Sequence, residues 1–288
     1  MRSQKRFLVS GLLVMAGIVL IAVGCSDDDS TAGGPVAGSP DDPQFLLVRE
    51  MSDALADSTV TFFEHGLSTL KALDESVLPP QYTVDPGGDG TLTTDYQNGW
   101  HIIGLTSLQT GMMTTVNDSI QFSQDGVPQQ VPNGLDQMTF IHHWFRSLEV
   151  ETEVDTIIGY SHLVFTNLYG ERTEVNGETE LSSVSHVAVD DTTTAVVTFE
   201  VTAELVNFQL DQSATPGWLS GFDEFDYCPC QGHLTATVTM NYQVEGLQAE
   251  VSAWTVDMTL TYGQVNVAIT CGNTVWTYDN DVCQPSGD

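Results

Sequence analysis

From Ala195 the chain alternates with a period of two. Ala195, Val197, Phe199, Val201, Ala203 and Leu205 fall on one face, and Thr198, Glu200, Thr202 and Glu204 on the other. Successive strand side chains point to opposite sides, so the pattern predicts a strand with one packed and one wet face. At Val206, Phe208 and Leu210 the parity switches, which predicts a β-bulge or a change of exposed face. A second run repeats the pattern from Leu234 to Val244, with His233, Thr235, Thr237 and Thr239 outward. A third passes through Trp254, Val256, Met258, Leu260 and Tyr262, then shifts parity at Gly263. Asn176-Gly177 predicts a hairpin turn, because a tight type I′ turn needs residues that tolerate positive φ. Asp190-Asp191, Glu245-Gly246 and Gly272-Asn273 mark further turns. Sequential strands are expected near 154–175, 178–189, 194–210, 232–244, 249–270 and 274–279, with weaker candidates at 100–108, 112–122 and 138–148. At about 3.3 Å per residue such strands exceed those of an ordinary sandwich. The expected fold class is therefore mainly β: a long-stranded antiparallel meander forming a curved sheet, barrel or half-barrel.

Upstream the period changes. Asp42-Pro43 offers an N-cap followed by proline at the first helical position. Leu47, Met51, Leu55 and Phe62 then recur at near-helical spacing, with Glu50, Asp53 and Asp57 between them. This predicts an N-terminal helix over roughly 43–64, with a further turn or two to about Leu73. Pro79-Pro80 ends that region, and Asp85 to Gly90 reads as a glycine-rich turn. From Ser26 to Pro40 the chain is Asp, Ser, Thr, Ala, Gly and Pro with no apolar anchor, the composition of a flexible tether.

The first residues are an address. Arg2, Lys5 and Arg6 precede an uncharged apolar run from Phe7 to Val23, followed by Gly24, Cys25, Ser26 and the acidic Asp27 to Asp29. That is the layout of a secretory signal peptide. With Ala22-Val23-Gly24-Cys25 closing the run, the segment resembles a bacterial lipoprotein signal, although that family usually has leucine where this chain has Ala22. The resemblance implies cleavage before Cys25 and acyl chains on Cys25. Ser26, in place of an aspartate, implies sorting to the outer membrane. The expected organisation is a signal peptide over 1–24, a lipidated tether over 25–41 and a single β-rich extracytoplasmic domain over 42–288, including a helix at about 43–73. An uncleaved transmembrane anchor is the alternative, since the run is near the lower end of the roughly 17–25 residues that span a bilayer.

Charge narrows the partners. Without residues 1–24 the cations are Arg49, Lys71, Arg146 and Arg172, against 39 acidic residues. Such a surface repels nucleic acid, whose binding depends on cations that displace phosphate counterions. It also repels anionic lipid headgroups, so the expected membrane contact is the anchor itself. Like charges work against compaction, an effect that salt or bound divalent cations offset. The chain is 41% hydrophobic and 9% aromatic, enough for a buried core. Cys228, Cys230, Cys271 and Cys283 are an even set in an exported chain. They read as disulfides joining each of Cys228 and Cys230 to one of Cys271 and Cys283, in either order. Zinc held by Cys228, Cys230 and His233 is the competing arrangement.

No nucleophile elbow, zinc-protease helix or phosphate-binding loop is present in the sequence. The histidines are His65, His101, His142, His143, His162, His186 and His233. Adjacent His142 and His143 would point to opposite faces of a strand, poor geometry for sharing a metal. Glu149, Glu151, Glu153 and Asp155 recur at spacing two, which on one strand would make a carboxylate ridge suited to calcium or a charged edge that blocks strand addition. Asp85 to Gly90 and Asp279-Asn280-Asp281 offer oxygens but match no complete EF-hand loop, and Phe222 to Tyr227 alternates aromatics with carboxylates. No organic cofactor is called for. The leading expectation is a non-enzymatic envelope lipoprotein with a β-rich binding or structural domain and an envelope protein partner. The alternative is a carrier of a hydrophobic ligand, since a helix followed by a long-stranded meander is similar in outline to periplasmic lipid and lipoprotein carriers. A calcium-supported hydrolase is a third.

Overall fold

The computed structural model describes residues 36–41, scattered positions between 45 and 66, and residues 89–281 apart from 110, 131–136, 151–152, 169–171, 189–193, 212–228, 245–248 and 262–263. The strands are β1 (Val36–Ala37), β2 (Asp89–Gln97), β3 (Trp100–Gln109), β4 (Met112–Gln124), β5 (Val127–Gln129), β6 (Gln137–Val150) and β7 (Glu153–Thr166). They continue as β8 (Arg172–Ala188), β9 (Thr194–Asp211), β10 (Pro229–Val244), β11 (Glu250–Thr261), β12 (Gln264–Cys271) and β13 (Thr274–Asp281).

All thirteen belong to one sheet, in the order β1-β13-β12-β11-β10-β9-β8-β7-β6-β4-β3-β2, with β5 paired to β4. Every pairing is antiparallel except β1 with β13. The expected mainly β meander is therefore present. The closed barrel among its expected forms is not, because the path ends on β2 and β1 and the two do not pair.

Some turns fall elsewhere than expected. Asn176-Gly177 lies inside β8, opposite a register shift against β9. The chain reverses instead between β7 and β8, beside Asn167 at φ 57°. Type I′ chemistry is used by two other pairs. Asn98-Gly99 (φ 52° and 86°) links β2 to β3, and Asp125-Gly126 (φ 50° and 74°) links β4 to β5. The parity shift at Gly263 marks the break between β11 and β12, so the expected strand over 249–270 is two strands. The shift near Val206 is a true bulge: Asn207 has φ 53° and donates its N–H to Asn176 Oδ1 at 2.7 Å.

One side of the sheet carries the core. A cross-strand row runs through Ile103, Asp118, His142, Ser161, Thr179 and Ala203. It continues through Ala236, Val256, Ile269 and Trp276, and this inner face holds the buried residues. The expected N-terminal helix falls largely outside the described residues. Those described between 45 and 66 have helical backbone, and Ser52 and Thr59 donate to the carbonyls of Val48 and Leu55 four residues back. They cover the inner face. Phe45 stacks on Trp276 of β13 at 5.9 Å, whereas Phe63 meets Phe165 of β7 at 6.4 Å and Phe208 of β9 at 5.3 Å. Each such fully buried aromatic contributes roughly 1.5–3 kcal/mol. Tyr278 and Asn280 of β13 donate to Asp53 Oδ1 at 3.0 and 2.8 Å, fastening the cover to the sheet margin.

Candidate functional site

Three constellations are assembled by strand register and none is local in sequence. The first is the polar centre of the inner face. Asp118 is fully buried and His142 is 7% exposed, with Nδ1 of the histidine 2.6 Å from Oδ1 of the carboxylate. Beside them Ser161 and Thr179 share a 2.9 Å hydroxyl–hydroxyl bond, and Thr179 also donates to the carbonyl of Tyr160. His143 points to the opposite face as expected and packs on Tyr160 at 4.7 Å.

The second lies on the outer face, where the β8–β9 bulge creases the sheet into a groove of about 740 Å³. Glu178 and Glu204 sit directly opposite each other there. Like charges so placed are unfavourable by a few tenths to about 1 kcal/mol. His162 approaches Glu178 at 3.9 Å, and Glu180, Thr202 and Thr235 complete the walls. Burial, aided by the charges of Glu178 and Glu180, raises the pKa of neighbouring Tyr160. An acidic, threonine-lined groove suits a polar or cationic surface more than an apolar one.

The third is the part of the inner face left half-buried. Along β9 to β12 the inward side chains are nearly all buried, from Val197 and Phe199 to Val267 and Ile269. Along β4 to β8 at the same end, Val116, Trp144, Leu148, Ile157 and Leu181 are only half-buried. Among them is Arg146, set between Thr114 and Ile157 in the register. Its Nε is buried with no hydrogen-bond partner, and burial lowers the pKa of the guanidinium. Next to it the indole of Trp144 leans over Gly159, where a Cβ would come within 2.0 Å of Nε1. The side chain at 159 is absent because the ring occupies its place.

The residues singled out in the sequence are dispersed. Glu149 lies near the end of β6 while Glu153 and Asp155 lie on β7, so the spacing-two series is split between two strands. Glu151 lies outside the described residues. Asp155 faces inward at 6% exposure and accepts the backbone N–H of His186 at 2.8 Å. No group of three or more metal-binding side chains occurs among the described residues. His233, on the outer face, lies 3.5 Å from Asp257. Asp279 accepts from Asn266 at 2.7 Å, a contact within the outer face.

Cys25, Cys228 and Cys283 lie outside the described residues, as do 222–227 and 85–88. Cys271 is buried at the end of β12 and disulfide-bonded, and no bridge joins two cysteines whose side chains are described. Register sets Cys271 against Thr274, whereas Gln231, next to Cys230, is level with Thr261 and so with Gln264 at the far end of β12. A disulfide needs Cα atoms within roughly 7 Å. Of the two expected orders, strand placement disfavours the one that joins Cys271 to Cys230.

Sequence reasoning passed over Asp118, Arg146 and the Glu178–Glu204 pair. One signal was available: in the alternation Met138, Phe140, His142, Trp144, Arg146, Leu148, a cation sits on the apolar side. The chain matches no protein family, no curated protein and no solved structure.

Proposed function

We propose that the chain is a non-enzymatic, membrane-anchored envelope lipoprotein whose β-domain binds its partner without transforming it. The anchor is Cys25, acylated after removal of residues 1–24. What supports binding is the division of one end of the inner face: the inward side chains of β9–β12 are buried there, whereas Val116, Trp144, Leu148, Ile157 and Leu181 of β4–β8 are only half-buried. Attachment is tested by feeding cells labelled palmitate. Label is expected in the wild-type chain and not in Cys25→Ser, and an unlabelled wild-type chain retaining residues 1–24 overturns the anchor.

A second reading, carriage of a hydrophobic ligand in a half-barrel, draws on one observation. The half-buried Val116, Trp144, Leu148, Ile157 and Leu181 are apolar and adjacent across strands. Solvent-accessible apolar surface is what a greasy ligand covers. Organic extraction of the purified chain followed by mass spectrometry is expected to release a stoichiometric lipid. Clean extracts from protein purified without detergent exchange overturn this reading.

A further inference from the structure

We propose that Arg146 receives the oxyanion head of a single-chain amphiphile whose alkyl tail lies on the half-open inner face. This deepens the carrier reading and rests on it.

The argument begins with charge. In a chain with formal net charge −32, a cation facing inward would be expected to have a carboxylate partner. Among the described residues Arg146 has none: its Nε is buried and unbonded, and burial alone acts on its guanidinium. A half-buried cation without a counter-ion is costly, and removing it from water makes any anion that arrives bind more strongly. Among the described residues, the inward carboxylate diagonal to Arg146 across β6 and β7 is Asp155. Its Oδ1 is engaged by the backbone N–H and ring Nδ1 of His186, on the β8 side. On the other side, toward β4 and β3, the row carries Thr114 and Ser107, hydroxyl donors rather than competing anions.

The chemistry of the head follows from the donor. A guanidinium presents a planar fork that matches two oxygens of a carboxylate or phosphate. The hydroxyls of Thr114 and Ser107 add donors in the same row. The tail follows from the neighbours, since Val116, Trp144, Leu148 and Ile157 surround the cation with half-exposed apolar surface. A small anion would satisfy the fork and leave that surface wet. An uncharged lipid would cover the surface and leave the fork unpaired. An alkyl carboxylate or alkyl phosphate does both.

The test uses the full chain in nonionic detergent, titrated with carboxyl-13C dodecanoate or with dodecyl phosphate observed by 31P resonance. Dodecanol and acetate serve as competitors lacking the head or the tail. A head-group resonance distinct from the micellar one is expected for at least one of the two amphiphiles, with affinity at least tenfold lower in Arg146→Gln and several-fold lower in Arg146→Lys. Whichever amphiphile binds more tightly names the oxyanion. Arg146→Gln is expected to melt no lower than wild type, which separates lost binding from lost folding. Equal binding by Arg146→Gln overturns the assignment, as does acetate competing as well as the amphiphiles. Dodecanol competing equally overturns the role of Arg146 while leaving the carrier reading intact. Binding by none of the four ligands removes both.

Discussion

Asp118 and His142 face each other across β4 and β6 with 2.6 Å between Oδ1 and Nδ1, in the buried centre of an apolar face. The pair fixes lateral register, because a one-residue slip of either strand would turn that strand's member to the outer side and leave the other buried without it. Asp118→Ala leaves the imidazole buried without this acceptor. Leaving a buried polar group without its hydrogen-bond partner costs about 1–3 kcal/mol, and urea unfolding should show a loss in that range. Replacing both residues together with apolar ones should cost less than Asp118→Ala alone.

At Gly177 a Cβ would lie 2.1 Å from the carbonyl oxygen of His162, a backbone atom that cannot swing aside. Gly177→Ala should therefore destabilise by about 1–3 kcal/mol, the usual range for overpacking. Circular dichroism melting would read it. An unchanged melting temperature would mean that the β8–β9 bulge relaxes more easily than its register implies.

His101 has its pKa lowered, chiefly by burial and partly offset by a hydrogen bond to the carbonyl of Gln130. The unfolded chain then binds the proton more readily than the folded one. Stability from this group is complete above the ordinary histidine pKa of about 6.5 and declines as pH falls through that value toward the lowered one. Melting temperature from pH 8 to pH 5 should fall less in His101→Gln than in wild type.

Asp53 behaves oppositely. Burial raises its pKa despite the bonds from Tyr278 and Asn280 and the charge of Arg49 4.0 Å away. The folded state holds this proton more tightly than the unfolded state. Stability from the group is thus greatest below the ordinary carboxylate range and is lost as pH rises through the raised value. Asp53→Asn keeps an acceptor for both β13 donors and has no charge to desolvate. Its melting temperature relative to wild type should increase between pH 4 and pH 7.

Charge repulsion gives a further expectation. With 39 acidic residues on the chain, raising sodium chloride from low concentration to 0.5 M should raise the melting temperature, and equal ionic strength from potassium chloride should do the same. A response to calcium but to neither salt would instead indicate bound divalent cations.

Strand existence was legible wherever an apolar face alternates with a threonine-rich one, as from Ala195 to Leu205, because burial enforces the period of two. Turn placement was less so. Asn-Gly can take positive φ but need not, and only the pairing of strands decides. At Asn98-Gly99 it does, in a hairpin; Asn176-Gly177 lies inside β8 without positive φ, and the left-handed residue of the bulge there is Asn207. The split of Glu149 from Glu153 and Asp155 has the same cause, since two strands in sequence can mimic one when the break between them is short. The candidate site was the least legible part. Asp118 and His142 are 24 positions apart, and Arg146 stands out only once its neighbours across β4 and β7 are known.

The meander joins neighbours in sequence, so most of the sheet can zip up hairpin by hairpin as the polypeptide is made. β1 is the exception. Val36 and Ala37 pair with Thr274 and Val275, and the indole of Trp276 donates to the carbonyl of Ser39 across 237 positions. This seam cannot close until the last strand has been synthesised and released. The segment leading from the N-terminus is thus stitched down as a late event in biogenesis, and a chain truncated before Thr274 would leave it hanging free.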